Sequence, residues 1–175
     1  YKLHRRPDAR PIPGLAIAGP GGLIPVGVDP SQIHYLGHSQ GAIVGGVHVH
    51  FPNDTRTIVL ANPGGPITLV AQDSAFYGPV AQGLVGATFA PGSYNFNMVF
   101  RDVQAVLDAG DPYNHVKSAA ELHPLLMFEM RDDQTIPNSS TDALIAAASL
   151  TKATAIGPNP VSAGAGAFTL FTEGN

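Results

Sequence analysis

The sequence predicts an α/β domain built on a mostly parallel sheet with helices on both faces. Three observations lead there. A short β-prone run, Ile33-His34-Tyr35-Leu36, breaks off abruptly at Gly37-His38-Ser39-Gln40-Gly41 and is followed by Ala42, Ile43, Val44 and Val47 with interspersed Gly45 and Gly46, which suits a closely packed helix. Two further runs, Thr57-Ile58-Val59-Leu60-Ala61 and Pro124-Leu125-Leu126-Met127-Phe128-Glu129-Met130, are apolar almost throughout, the pattern of parallel strands buried on both faces. Helical segments alternate with these strands, which favours right-handed crossovers.

Composition bounds the function classes. With 175 residues, 44% of them apolar, the chain can bury a substantial core. Charged residues make up only 13%, and the net charge of -4 is spread without acidic or basic blocks, so nucleic acid is not expected as a partner. The absence of cysteine excludes a disulfide framework and cysteine-based metal or nucleophile chemistry, and leaves the redox compartment open. No apolar stretch approaches the roughly 20 residues that a transmembrane helix needs. Residues 1–10 are basic but lack the apolar run of a signal peptide.

Taken in order, residues 11–30 are rich in proline and glycine, and Gly19-Pro20-Gly21-Gly22 signals a turn, so a weak helix or loop is expected before the first core strand. Residues 57–61 form the second strand, closed by Asn62-Pro63-Gly64-Gly65-Pro66. Residues 67–121 read as a mostly helical, cap-like insertion, broken at Gly78-Pro79, Pro91-Gly92 and Asp111-Pro112. The strand at 124–130 leads to a polar loop at 131–140, a helix at 141–150, a glycine- and alanine-rich linker at 151–166 and a last strand, Ala167-Phe168-Thr169-Leu170-Phe171-Thr172. The four runs beginning at Ile33, Thr57, Pro124 and Ala167 are expected as parallel neighbours. Residues 1–175 read as part of one domain, truncated at both ends.

Gly37-His38-Ser39-Gln40-Gly41 fits Gly-x-Ser-x-Gly, a motif that places a serine on a tight strand-to-helix turn. Glycine two residues to either side removes β-carbons that would collide there, and the turn lifts the hydroxyl clear of the sheet. A chance turn containing serine is the plain alternative; the strand before and the small-residue helix after favour the nucleophile. A serine hydroxyl needs a base within hydrogen-bond reach and a carboxylate to orient that base. Asp133 is the expected acid, because it follows the carboxyl end of the 124–130 strand, where ligand sites form in parallel sheets. Asp132 is its competitor.

No histidine follows Asp133. His123 lies at the wrong end of its strand, His48 and His50 lie on or beyond the helix leading away from Ser39, His34 is within a strand and His38 points where the turn directs it. Only His115, in the insertion, could swing over the site. The base is therefore expected outside this chain. The backbone N–H of Gln40, the residue after the nucleophile, is the expected oxyanion donor. A second donor should come from well upstream, and Gly19-Pro20-Gly21-Gly22 is too near Ser39 in sequence to supply it.

With these elements in place, the chain resembles the lipase and esterase branch of the α/β-hydrolase superfamily, most closely large extracellular or surface-exposed bacterial lipases. The resemblance spans roughly residues 29–175. It is carried by residues 33–41, Val59-Leu60-Ala61-Asn62-Pro63-Gly64-Gly65, Gly110-Asp111-Pro112-Tyr113-Asn114, Asp132-Asp133-Gln134-Thr135-Ile136-Pro137-Asn138 and Phe171-Thr172-Glu173-Gly174. It implies acyl-ester or lipid hydrolysis through an acyl-enzyme, without metal or organic cofactor, in an extracellular or surface setting. It also implies that a stretch like Phe171-Thr172-Glu173-Gly174 runs into the catalytic histidine, which would then stand just after Asn175. The remaining parts would come from further segments of the same polypeptide or from another chain. An acyltransferase with the same machinery and a non-catalytic binding or assembly protein on the same scaffold are the rival expectations.

Overall fold

The computed structural model describes residues 10–51, 54–152, 155–156, 159–160 and 168–172. Its centre is a five-stranded sheet of order β3-β4-β5-β9-β6, made of β3 (Ile33–His38), β4 (Thr55–Ala61), β5 (Leu125–Met130), β9 (Phe168–Thr172) and β6 (Thr151–Lys152). β3, β4 and β5 are parallel neighbours, with Gly37 opposite Leu60 and Leu60 opposite Met127. The protein is thus a mixed α/β fold with a three-stranded parallel unit.

The fourth expected parallel strand runs the other way. β9 pairs antiparallel with β5, Phe168 opposite Met130 and Thr172 opposite Leu126, and antiparallel with β6 on its other side. A parallel return needs a crossover of a dozen or more residues, usually a helix. The segment 153–167 is rich in glycine, alanine and proline and carries no helical pattern; its described part is a small antiparallel pair, β7 (Ala155–Ile156) with β8 (Asn159–Pro160). The expected linker at 151–166 therefore holds β6, β7 and β8. Ala167 lies outside the described residues.

Among the described residues one helix layer covers the sheet. α1 (Gln40–His48), α5 (Val116–Leu122) and α6 (Asn138–Ala147) contribute Ala42, Val116, Ala119, Leu144 and Ile145 to a core built on Ile58 and Leu60 of β4 and Leu125 and Met127 of β5. These strand residues are two apart, so they share one face. Gly45 and Gly46 let α1 lie close: a β-carbon on Gly45 would sit 2.3 Å from the Tyr35 ring, and one on Gly46 2.8 Å from Pro112. The opposite face, with Leu36, Val59, Leu126 and Phe128, has no comparable helix layer among the described residues, contrary to the expectation of helices on both faces.

Residues 67–121 are helical, as their pattern predicts. α2 (Ile67–Asp73), α3 (Gly78–Gly86) and α4 (Tyr94–Leu107) pack on one another, and two short 3-10 turns lead to α5, which belongs to the core layer. Residues 11–30 form neither helix nor loop. β1 (Arg10–Gly19) and β2 (Gly22–Val28) make an antiparallel hairpin whose turn is Gly19-Pro20-Gly21-Gly22, with Gly22 at φ 114. Ala16-Ile17-Ala18 pairs across that turn with residues 23–25, while the register shift between Pro11 and Ala16 contains Gly14 at φ 76.

Candidate active site

Ser39 stands between the last residue of β3 and the first of α1, at φ 52 and ψ -121. Left-handed backbone of this kind costs a non-glycine residue on the order of 1–3 kcal/mol and persists only where its surroundings enforce it. Here they do. The Ser39 N–H donates to Ala61 of β4 at 2.9 Å, and the Ser39 carbonyl accepts from Ala42 and Ile43 at 2.8 and 3.0 Å, so the residue is held by the sheet on one side and the helix on the other. Its hydroxyl forms no helix-capping bond, and the side chain is half-buried.

The two flanking glycines differ. A β-carbon on Gly37 would lie 2.5 Å from the Gly41 carbonyl oxygen and 2.9 Å from Cα of Ala42, so the turn excludes any larger residue there. A β-carbon on Gly41 would meet nothing within 4 Å, so the steric requirement expected at this position is not present. Gly41 instead offers its carbonyl to the Tyr35 hydroxyl at 2.7 Å, which ties the first turn of α1 back to β3. Gln40, exposed, is the first residue of α1, and the N–H groups of a helix's first turn have no intrahelical acceptor. It therefore presents a free donor beside Ser39.

Asp133 lies three residues beyond β5, at the same carboxyl edge as Ser39, with β4 between them. At about 4.8 Å per strand, β3 and β5 lie ~10 Å apart across β4. One carboxylate oxygen, Oδ1, accepts from the N–H groups of Thr135 (2.8 Å) and Ile136 (3.0 Å). Asp132 differs: its backbone is left-handed at φ 59, its N–H donates to Asn138 and its side chain is exposed. The half-buried, backbone-anchored carboxylate is that of Asp133.

None of the six described histidines approaches Ser39 from the base position. His115, the one with freedom to swing, is fixed: its Nε2 lies 3.0 Å from the Ala109 carbonyl and its ring lies 4.8 Å from that of His50. His50 is two residues past the end of α1, about 16 Å from Ser39 at 1.5 Å per residue. His34 Nδ1 lies 2.6 Å from the Thr57 hydroxyl, and His123 precedes β5 at the edge opposite Ser39, with its Nε2 buried. β9 runs antiparallel to β5, with Thr172 opposite Leu126, so the described end of this strand lies at the sheet edge away from Ser39.

Two asparagines were given no role by the sequence. Asn62, buried and at φ 51, accepts the N–H of Met130 on its Oδ1 at 3.0 Å. Asn138, at the start of α6, bonds to both ends of the turn before Asp133. Asn62 directly follows β4 and Asn138 opens α6, eight residues after the end of β5. Asp111 is fully buried, yet both of its oxygens are occupied, by the N–H groups of Ile67 (2.6 Å) and Tyr113 (2.9 Å) and by Gln104 Nε2 (2.8 Å). It anchors the start of α2 and is not available as an orienting acid. A groove of ≈ 540 Å³ between α2 and α4, lined by Pro66, Leu69 and Phe100 among others, includes neither Ser39 nor Asp133.

Among the described residues no cluster of three or more histidine or acidic side chains could hold a metal ion. No helix among them is long and apolar enough to cross a membrane. Comparison with known proteins returned no matching family model, no curated relative and no solved structure of similar fold.

Proposed function

We propose that this chain supplies the nucleophile and the orienting acid of a serine carboxylic ester hydrolase of the lipase and esterase type, on an α/β-hydrolase scaffold. Ser39 attacks the ester carbonyl; a histidine from polypeptide outside residues 1–175 takes its proton, and the Gln40 N–H stabilises the oxyanion. The alkoxide leaves with that proton, and water then releases the acyl group from Ser39. Asp133 orients the imidazole through the carboxylate oxygen not held by Thr135 and Ile136. The mechanism calls for no metal or organic cofactor, and the reading goes with an extracellular or surface-exposed enzyme.

The observation that carries this reading is the strained Ser39 backbone, φ 52 and ψ -121, held between a parallel strand and a helix with the hydroxyl left uncapped. A turn that merely contained serine would have no reason to hold strain of this kind. A lipid or other acyl-ester substrate suits the insertion: residues 74–100 contain no charged side chain, and Phe76, Tyr77, Val80, Leu84 and Tyr94 are exposed there. The antiparallel course of β9, which departs from an all-parallel hydrolase sheet, favours a second reading, a hydrolase-like scaffold that binds without catalysing.

The test uses the complete protein. Hydrolysis of acyl esters is expected, with Ser39→Ala and Asp133→Asn each lowering kcat by about 10⁴-fold or more. Unchanged turnover in Ser39→Ala would remove Ser39 from the mechanism, and no hydrolysis by the wild-type protein would favour the binding scaffold. Transfer of the acyl group to an added alcohol in preference to water would identify an acyltransferase.

A further inference from the structure

The turn that presents Asp133 is held by side chains rather than by a backbone hydrogen-bond ladder. Met130 is the last residue of β5. Its N–H donates to Asn62 Oδ1 at 3.0 Å, and its carbonyl accepts from Asn138 Nδ2 at 2.8 Å. The Asp132 N–H donates to Asn138 Oδ1 at 2.8 Å, and the second N–H of the same amide donates to Glu129 Oε1. One carboxamide thus closes the loop on both sides of Arg131, using its oxygen and both of its hydrogens. Its orientation is fixed by chemistry, because the flipped amide would set NH2 against the Asp132 N–H and oxygen against the Met130 carbonyl.

Directly after this clamp the chain passes through Asp132 at φ 59, and the Asp133 carboxylate then receives the Thr135 and Ile136 N–H groups. The direction of the Asp133 carboxylate therefore depends on where Asp132 is held. Asn138 joins Asp132 to the end of the strand, while Asn62 fixes that strand end to β4, the strand whose Ala61 carbonyl holds the Ser39 N–H. Through four hydrogen bonds the position of Asp133 is referred to that of Ser39.

We infer that Asn138, supported by Asn62, is a positioning residue for the catalytic machinery: its amide sets the direction of the Asp133 carboxylate toward the Ser39 edge. This rests on the ester hydrolase reading above. Neither alanine nor aspartate replaces it. Alanine leaves the Met130 carbonyl and the Asp132 N–H without partners; aspartate keeps an acceptor for Asp132 but cannot donate to Met130, and sets a second carboxylate against Glu129.

The experiment compares five variants of the complete protein on a p-nitrophenyl acyl ester: Ser39→Ala, Asp133→Asn, Asn138→Ala, Asn138→Asp and Ser139→Ala. Ser139 is a neighbour on α6 whose hydroxyl bonds only to Asp73, so its variant controls for loss of an α6 side-chain hydrogen bond. Both Asn138 variants should lower kcat by about 10- to 100-fold, the scale of a carboxylate misplaced by an ångström, with KM within twofold. Labelling of Ser39 by a fluorophosphonate should slow in parallel, and Ser139→Ala should keep full activity. Asn138→Asp preserves a good helix N-terminal residue and is expected to fold even if Asn138→Ala does not. If the Asn138 variant that folds keeps kcat within twofold of wild type while Ser39→Ala and Asp133→Asn are inactive, the clamp is refuted and the ester hydrolase reading stands. If Ser39→Ala and Asp133→Asn are themselves fully active, both fall. A rise in KM at unchanged kcat in the Asn138 variants also overturns the inference.

Discussion

The two faces of the central sheet carry similar residues and have different fates. Toward α1, α5 and α6, Ile58, Leu60, Leu125 and Met127 are at most 4% exposed. On the other face Val59, Leu126 and Phe128 are only half-buried, and Leu36 is 74% exposed. A strand rich in leucine, isoleucine and valine throughout declares that both of its faces suit an apolar neighbour. It does not say what that neighbour is. The packed face is closed by helices within the described residues, and by glycines that admit them; the other face has only partial cover among the described residues, with Leu36 the most exposed of these apolar side chains.

The comparison can be broken by truncation on each face. Leu60→Ala or Met127→Ala should cost about 3–4 kcal/mol, because each leaves a cavity in the closed layer. Leu126→Ala should cost about 1 kcal/mol, since a half-buried side chain loses less transfer energy and its site stays open to water. Urea denaturation of the three variants decides it, and equal losses would mean that the second face is as well packed as the first.

Next in size is Asp111→Ala, expected to cost about 3 kcal/mol by stranding the Ile67 and Tyr113 N–H groups and the Gln104 amide. Thermal unfolding measures it, and a loss under 1 kcal/mol would show that Asp111 does not anchor α2 to the packed side. Smaller still is Gly45→Ala, at about 2 kcal/mol, because the new methyl group meets the Tyr35 ring. Gly41→Ala, with open space around its β-carbon, should be neutral or slightly stabilising by helix propensity. Similar losses at the two glycines would contradict the close approach of α1 to β3. The smallest stability effect is Leu36→Lys on the open face, within about 0.5 kcal/mol, accompanied by weaker binding of an apolar dye such as ANS. An unchanged dye signal would show that the exposed patch lies elsewhere.

The placement of Ser39 and Asp133 at one sheet edge was legible because what fixes it is local. Ser39 sits in a turn whose strain and steric demand are confined to five residues, and Gly37 meets that demand as expected. Gly41 does not, because the collision depends on how the first turn of α1 rises from the sheet, which a pentapeptide cannot specify. Asp133 could be placed because a loop after a parallel strand must emerge at its carboxyl edge. Asn62 and Asn138 could not: the partner of Asn62 lies 68 residues away and is brought to it by the pairing of β4 with β5, and the partners of Asn138, 6–9 residues away, reach it only because the loop after β5 folds back.

By itself the sequence determined the order of strands and helices from Ile33 to Leu150, the parallel pairing of β3, β4 and β5 and the strained turn at Ser39, since hydrophobic runs, helical crossovers and glycine sterics act over short distances. Tertiary structure decided the direction of β9, the position of His115 beside His50 and, among the described residues, the single helix layer. Each of these depends on which distant segments meet. A strand edge accepts parallel and antiparallel partners alike, and an apolar face accepts any cover, so the choice rests on the length and stiffness of the chain between them rather than on the residues that finally meet.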